Sequence, residues 1–543
     1  MISNLLNNFP DGYTPNRSQV KLLKNIDQAF EDGHKFVVCN APTGSGKSFI
    51  SKTVGNIAED CDKDYRDLIT SYLAFKHGQG GKFVHSEECE EQPAFGCTAL
   101  TITKSLQDQY KELFNDVEIL KGKSNYQCAV DSEFSVDVAP CVHLAGLKNE
   151  CCSQNKCPYY EQRNKALTSQ FNTLNYNMFF SLPDHVKKRQ FLICDEASEL
   201  EDQLVKEFTC KVEYSFLRNC DITIRPFMAS QSHEKWINNL LLEVSDAAGE
   251  LKEMIANKQN SKPQVVIALK WKLIKLGNLQ RKLELILETW SDSEYVHEKD
   301  NLGVTFTPLK VNKLSHRLFE FADKVILMSA TIIDPKNFCT SLGIDKFKYI
   351  EAESTFDPKN APIICNTKYK LNYYTMKKFL PKIISNIQDI CEHHKGEKGI
   401  IHTQNNTITG EISKVLIGSR YLYREPGVVN EEILSKHTLS EDPTVLISPS
   451  MSHGVDLKDD LARFQIIVKA PFLPTKDVRI ERLMKDDYDW YVNKMLCSLI
   501  QSCGRGIRSK KDHCVTYILD ANIAHNILNN KHKLPNYFLN RFL

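Results

Sequence analysis

Lys47 and Ser48 close the stretch Ala41-Pro42-Thr43-Gly44-Ser45-Gly46-Lys47-Ser48, and those residue types in that order suit a polyphosphate. Gly44 and Gly46 let the backbone turn so that successive N–H groups converge on phosphate oxygens. Lys47 adds a point charge for the β- and γ-phosphates, and Ser48 offers a hydroxyl to Mg²⁺. One departure from the G-x-x-x-x-G-K-[ST] pattern stands at its first glycine, which is Ala41 here. A second group, Asp195-Glu196-Ala197-Ser198, follows an apolar run at 191–194. At a buried strand's end Asp195 would hold a nucleotide-bound Mg²⁺ and Glu196 would polarise an attacking water, although carboxylates there also serve as plain turn residues. A third group is Gln501-Ser502-Cys503-Gly504-Arg505-Gly506-Ile507-Arg508. Arg505 and Arg508 lie three apart on an expected helix, so both can face one cleft and neutralise charge developing on a γ-phosphate.

Other groups could bind rather than react. Gln19 carries a donor and an acceptor and so matches the two-faced edge of adenine; as a residue at a helix start it would need no ligand. Residues 99–103 read as a strand running into a helix at Lys104-Ser105-Leu106-Gln107. Hydroxyls and amides at that strand end face the ligand crevice of an α/β sheet and suit sugar-phosphate contacts, while also capping the helix. Residues 121–160 change character. Cys128, Cys141, Cys151, Cys152 and Cys157 fall in a stretch of poor periodicity, rich in Pro, Asn and Ser, that needs a staple. Four thiolates fit [4Fe–4S] or Zn²⁺, and the lack of paired C-x-x-C spacing argues against a zinc ribbon. Lys121, Lys123, Tyr126, Tyr159, Tyr160 and Arg163 interleave charge with aromatic rings, which suits single-stranded nucleic acid.

The elements that must position these residues alternate strand and helix. Short apolar strands are expected at 36–39, 191–194 and 324–328, the last ending in Ser329-Ala330-Thr331. Between them, 236–290 repeats apolar residues at three and four, broken by NKQNSKPQ, and reads as a hairpin of two long helices. Strands at 399–403, 444–448, 464–469 and 515–520 predict a second parallel sheet, so the class is α/β. The 543 residues allow several domains, and 42% hydrophobic with 25% charged residues describe an ordinary globular chain. Lys+Arg 69 against Asp+Glu 68 leaves +1, so any nucleic-acid surface must be a local groove. The apolar runs are too short for a membrane span, the first residues carry no signal-peptide pattern, and the 18 cysteines point to a reducing compartment, so a cytoplasmic location is expected.

The order of these motifs resembles the XPD/DinG family of Fe–S superfamily 2 helicases. The resemblance is carried by Gln19, APTGSGKS at 41–48, TITKSLQDQ at 101–109, SNYQC at 124–128, CPYY at 157–160 and LNYN at 174–177. It continues through ICDEASELED at 193–202, LMSATI at 327–332, GIIHTQ at 399–404, SHGVDL at 452–457, APFLP at 470–474 and QSCGRGIR at 501–508. It implies two RecA-like P-loop domains with an inserted Fe–S domain and a helical arch. The first RecA-like domain would comprise 1–115, 167–205 and 306–350, the cluster domain 116–166, the arch 206–305 and the second RecA-like domain 351–543.

The resemblance also implies ATP-driven 5′→3′ movement on single-stranded DNA and unwinding of forked duplex by a monomer, in a bacterial or phage-infected cell. Catalytic roles would fall to Lys47, Asp195, Glu196, Gln501, Arg505 and Arg508. Nucleotide contacts would come from Gln19, Ala41, Thr43, Gly44, Ser45, Gly46, Lys47, Ser48 and Asp456, with Ser48 and Asp195 on Mg²⁺. The [4Fe–4S] ligands would be Cys128, Cys141, Cys151 and Cys157, with Cys151 preferred to Cys152. DNA contacts would come from Thr103, Lys104, Gln107, Tyr126, His402, Thr403 and Ser452. One departure bears on mechanism: the family's Asp-Glu-Ala-His ends in Ser198, where the histidine couples the nucleotide site to the Ser-Ala-Thr strand. Rival readings are an ATP-driven translocase or remodeller that separates no strands, and a nucleic-acid-binding scaffold without turnover.

Overall fold

The computed structural model describes residues 5–42, 44–61, 63, 66, 94–139, 141, 157–224, 227, 232–257, 263–291, 294–354, 356–365, 368–423, 430–449, 457, 459–507 and 512–543. Thr43, Cys151, Cys152, Ser452, Asp456 and Arg508 lie outside the described residues. In chain order the strands are β1 (Phe36–Asn40), β2 (Cys97–Thr101), β3 (Glu118–Leu120), β4 (Phe171–Asn175), β5 (Arg189–Asp195), β6 (Cys210–Glu213), β7 (Tyr295–Lys299) and β8 (Gly303–Pro308). They continue as β9 (Ala322–Ser329), β10 (Phe347–Glu351), β11 (Ile363–Cys365), β12 (Gly399–His402), β13 (Tyr421–Tyr423), β14 (Val445–Ser448), β15 (Phe464–Ile467) and β16 (Val515–Ile518).

The first lobe is a seven-stranded sheet in the order β10-β1-β9-β5-β2-β4-β3, parallel throughout. Register sets Asn40 beside Ser329 and Asp195 beside Met328, so three segments distant in sequence deliver their C-terminal ends to one edge. A parallel sheet is covered on both faces, which is why FVVCN, RQFLICD and ADKVILMS are near-continuous apolar runs. The expected strand at 99–103 is displaced to 97–101. Thr103 leaves the sheet and caps the helix Lys104–Leu113 by accepting from the Leu106 N–H at 3.3 Å.

Two excursions interrupt this sheet. The first leaves after β3 and returns at the helix Pro158–Thr168; it carries Cys128, Cys141 and Cys157. The second runs from β6 through the helices His233–Asn257 and Pro263–Thr289 to β7 and β8, which close an antiparallel sheet β6-β8-β7. Leu240, Val244, Leu276, Leu283 and Phe306 form its own apolar core, as the helical spacing at 236–290 predicts. The second lobe is a six-stranded parallel sheet in the order β11-β16-β15-β12-β14-β13. The α/β class with two parallel sheets is thus the observed one. Among the described residues no helix is long and apolar enough to cross a membrane.

The lobes are tied at a buried cluster of charge. Glu201, in the first turn of the helix Leu200–Phe208, is 6% exposed. It accepts from Arg479 Nη2 at 2.7 Å and Trp490 Nε1 at 3.0 Å, and Lys494 Nζ lies 3.1 Å from it and from Asp202. Arg479 Nε also donates to the Pro308 and Leu309 carbonyls, both at 3.1 Å, so the second excursion joins at the same point. Burial alone would push the Glu201 carboxyl up; Lys494 and Arg479 outweigh it and hold it at about 2. Because that lies below its ordinary 4.5, the pairing is fully present above about 4.5 and is lost as pH falls toward 2. Removing one member of a buried pair costs about 3–5 kcal/mol. Glu201→Gln should therefore lower the urea midpoint markedly at pH 7, and the gap to wild type should narrow between pH 4.5 and 2. A gap that stays constant across that window would show that the ionised carboxylate contributes nothing.

Candidate functional site

The loop after β1 forms the floor of a cleft between the lobes. Gly44 (φ 76°) and Gly46 (φ 80°) take the left-handed conformations that a tight phosphate loop needs. The helix Lys47–Ile57 starts at Gly46 with no side-chain cap, so its first turn is open to an anion. Gly44, Gly46, Lys47 and Ser48 line the cleft, whose volume is about 370 Å³. Ala41 does not line it. It is fully buried at the end of β1, donates its N–H to the Ser329 carbonyl at 2.8 Å and has no positive φ, so a glycine is not required there. Ser45 is also buried, at 4% exposure, behind the loop. Gln19 Oε1 accepts from the Asn16 N–H at 2.9 Å, closing a helix cap. Its amide nitrogen fills the space beside Gly46, where a Cβ would meet it at 2.2 Å. It braces the loop from behind.

Asp195 and Glu196 form one wall. Asp195 ends β5 at 4% exposure, and Glu196 holds φ 51°, a conformation rare outside glycine and concentrated at functional sites. The Glu196 N–H donates to Asp195 Oδ1 at 3.0 Å, and Lys47 Nζ lies 3.4 Å from Glu196 Oε1. Burial pushes Asp195 up to about 6, with Lys47 opposing and the Glu196 charge adding to the rise. Burial also acts upward on Glu196, yet Lys47 and Arg505 hold it below the usual carboxylate range. The hard oxygen donors of Ser48 and Asp195 suit Mg²⁺.

The opposite wall comes from the second lobe. Gln501, on the helix Tyr488–Cys503, donates from Nε2 to Ser198 Oγ at 3.2 Å and to Thr331 Oγ1 at 3.3 Å. Ser198 Oγ and Ser329 Oγ are 2.9 Å apart, and the Ser329 hydroxyl donates to Glu196 Oε2 at 3.4 Å. The donors can be oriented in one direction, from Gln501 through Ser198 and Ser329 to Glu196. Arg505 lies just beyond that helix and lines the same cleft as Lys47.

The nominated nucleic-acid contacts divide. Thr103 lines the cleft, and Lys104 is exposed with Nζ 2.8 Å from Asn125 Oδ1. Gln107 is a correction: it is wholly buried, and its amide donates to the Leu120 and Thr173 carbonyls at 3.2 and 3.1 Å, pinning β3 and β4. Thr403 is another. It is wholly buried, with its hydroxyl 2.6 Å from that of Thr409. His402 is 2% exposed, and burial with the nearby Arg505 lowers it to about 4, so its ring is neutral at pH 7 and lies beneath the surface. The Tyr126 hydroxyl accepts from the Lys121 N–H at 3.1 Å, and its ring meets Tyr159 edge to face at 5.5 Å. Cys128 and Cys157 are buried and Cys141 half-buried; among the described residues no three His, Cys, Asp or Glu converge as a metal centre.

Some cleft residues escaped sequence reasoning. Tyr537 donates its hydroxyl to the Ala330 carbonyl, and Arg541 donates to the Ala361 and Cys503 carbonyls at 2.7 and 3.1 Å. Both lie near the C-terminus in no recognisable motif, and only their aromatic and cationic types could have flagged them.

Residues 402–540 match the helicase C-terminal domain family. Over 94% of its length the chain is 23% identical to the ATP-dependent DNA helicase YoaA of Haemophilus influenzae, covering 91% of it, and 21% identical to YoaA of Escherichia coli, covering 92%. It is 27% identical to the ATP-dependent DNA helicase DinG of Photobacterium profundum over 44% of this chain and 37% of that one. Its fold matches a solved XPD helicase with TM-score 0.61 at 16% identity, covering 94% of this chain and 97% of that one, and S. tokodaii Xpd4 with TM-score 0.54 at 15% identity and the same coverage. In motif order and over most of its length the chain is similar to these DNA helicases, and its fold is that of the XPD structures.

Proposed function

We propose that this chain is an ATP- and Mg²⁺-dependent DNA helicase that moves 5′→3′ along a single strand and opens forked duplex. One observation carries the reading: Lys47, Asp195 and Glu196 from the first lobe and Gln501 and Arg505 from the second line a single cleft or bond directly to its wall. That its relatives are named ATP-dependent DNA helicases supports DNA as the polymer. The β- and γ-phosphates of ATP would lie on the N–H groups around Gly44 and Gly46, and Lys47 would turn from Glu196 toward them. Ser48 and Asp195 would hold Mg²⁺, which neutralises phosphate charge when bound. Glu196, kept ionised by its cationic neighbours, would orient the attacking water, and Arg505 with Arg508 would meet charge developing on the γ-phosphate. Thr103, Lys104 and Ser452 would hold the strand, and Asp456 the nucleotide. The ranges 116–166 and 206–305 would act as cluster domain and arch.

Cys128, Cys141, Cys151 and Cys157 would hold a [4Fe–4S] cluster, whose chemistry here is to staple the first excursion. The burial of Cys128 and Cys157 and the Tyr126–Tyr159 contact that draws their flanks together support this.

Lys47→Ala should abolish single-strand-stimulated ATP hydrolysis with an unchanged circular dichroism spectrum; undiminished turnover would overturn the site assignment. Ser198→Ala breaks two neutral hydrogen bonds, so kcat for stimulated hydrolysis should fall roughly tenfold with little change in KM, and Ser198→Thr should restore it. Equal kcat in the alanine variant would remove the hydroxyl chain from the mechanism. Protein purified without oxygen should be brown and hold about four irons per chain. Cys128→Ser should lose both colour and iron, and a colourless wild type holding zinc would refute the cluster.

A further inference from the structure

Away from the cleft, the turn between β11 and the helix Met376–His393 carries Tyr373 and Tyr374, each 90% exposed, with ring centroids 5.5 Å apart and planes at 86°. The turn itself is pinned. Asn372 Oδ1 accepts from the Tyr374 and Thr375 N–H groups at 2.9 and 3.0 Å, and the Thr375 hydroxyl donates to the Lys370 carbonyl at 2.6 Å. Leu371, 2% exposed, anchors the base, and its N–H donates to Asp520 Oδ1 at 3.0 Å. The two rings are therefore presented to solvent by an ordered backbone, and neither serves a core. Around them Lys370, Lys377, Lys378 and Lys382 are exposed. Residues 368–388 hold five lysines and no Asp or Glu, in a chain whose net charge is only +1.

Exposed flat rings among cations fit a polyanion with stackable faces. Location favours the same ligand. The strands β11, β16, β15, β12 and β14 run parallel, and on the edge where their C-terminal ends lie β12 ends at His402 and β14 at Ser448. The base of the turn is bonded just past the end of β16, where the Ala521 N–H donates to the Tyr369 carbonyl, and in the order β16-β15-β12 that end stands two strands from β12, about 10 Å at the usual strand spacing. We propose that Tyr373 and Tyr374, with the flanking lysines, form a stacking platform for single-stranded DNA outside the cleft. The proposal rests on the helicase reading above and adds a contact to it.

The test is fluorescence anisotropy of the full-length protein with labelled oligo-dT across a salt series. Tyr373→Ala/Tyr374→Ala should bind about tenfold or more weakly. Tyr373→Trp/Tyr374→Trp should recover the loss, since a stack needs a ring and not a hydroxyl. Lys377→Gln/Lys378→Gln should flatten the slope of log K against log salt by about 1.4. Circular dichroism should not change in any of them. Wild-type affinity in the double alanine variant would overturn the platform and leave the helicase reading standing. A wild type with neither affinity for single strands nor stimulated ATP hydrolysis would remove both. Unchanged DNA affinity with loss of a dimer in sedimentation would assign the rings to a second copy of the chain.

Discussion

Two adjacent carboxylates are buried at the end of a parallel strand, and their mutual repulsion has to be offset by cations from elsewhere in the chain. Asp195 and Glu196 cannot both be ionised there without help; Lys47 stands against Glu196 from the next segment of the same lobe, and Arg505 adds its field from the other lobe. Lys47 supplies most of that help from within the lobe, and Arg505 adds to it across the cleft, so the wall draws its cations from both lobes. Phosphates entering the cleft would compete with Glu196 for the same two cations, which gives an anionic ligand direct leverage over the distance between lobes.

The helix Tyr488–Cys503 makes two separate attachments to the first lobe. Lys494 joins Glu201 and Asp202 toward its middle, Gln501 bonds Ser198 and Thr331 near its end, and seven residues of helix separate them by about 10 Å. The two attachments differ in strength. Breaking the buried charge cluster costs about 3–5 kcal/mol, whereas each neutral hydrogen bond at the Gln501 end is worth about 1 kcal/mol. Separating the Gln501 contacts is therefore cheaper than separating the Glu201 cluster. The helix is thus held firmly by buried charge toward its middle and more weakly, by neutral hydrogen bonds, near its C-terminal end.

The parts legible in the sequence were local. The glycine loop, the Asp-Glu pair, the Ser-Ala-Thr strand and the Gln-to-Arg motif each announce themselves within ten residues, and parallel-sheet burial makes their strands apolar throughout. Other strands were not legible. β3, β11 and β13 are three-residue pieces, and β4 is FNTLN, whose buried Asn172 accepts from the Thr98 hydroxyl at 2.9 Å on the neighbouring strand. Polar residues satisfied across a sheet look like loop residues when read one at a time. Gln107 and Thr403 fail for the same reason in reverse. Their types suit a sugar-phosphate backbone, but their donors are spent on neighbouring carbonyls and hydroxyls. Glu201 reads as an ordinary helix-start acid because its partners stand 278 and 289 positions away.

Ser198 offers a different kind of link from a histidine. A histidine in that place would be able to gain a proton between pH 5 and 8, and its bonds would then depend on charge. A hydroxyl donates and accepts at every pH in that range, so the chain from Gln501 to Glu196 keeps one polarity. The nearby imidazole, His402, is held neutral down to about 4 by burial and Arg505, which leaves it outside this titration too. Within the wall it is Asp195, pushed up to about 6, that exchanges a proton under ordinary conditions, and a divalent cation would displace that proton. The links that reach Glu196 from the other lobe, the Gln501 amide and the Ser198 and Ser329 hydroxyls, do not titrate between about pH 5 and 8.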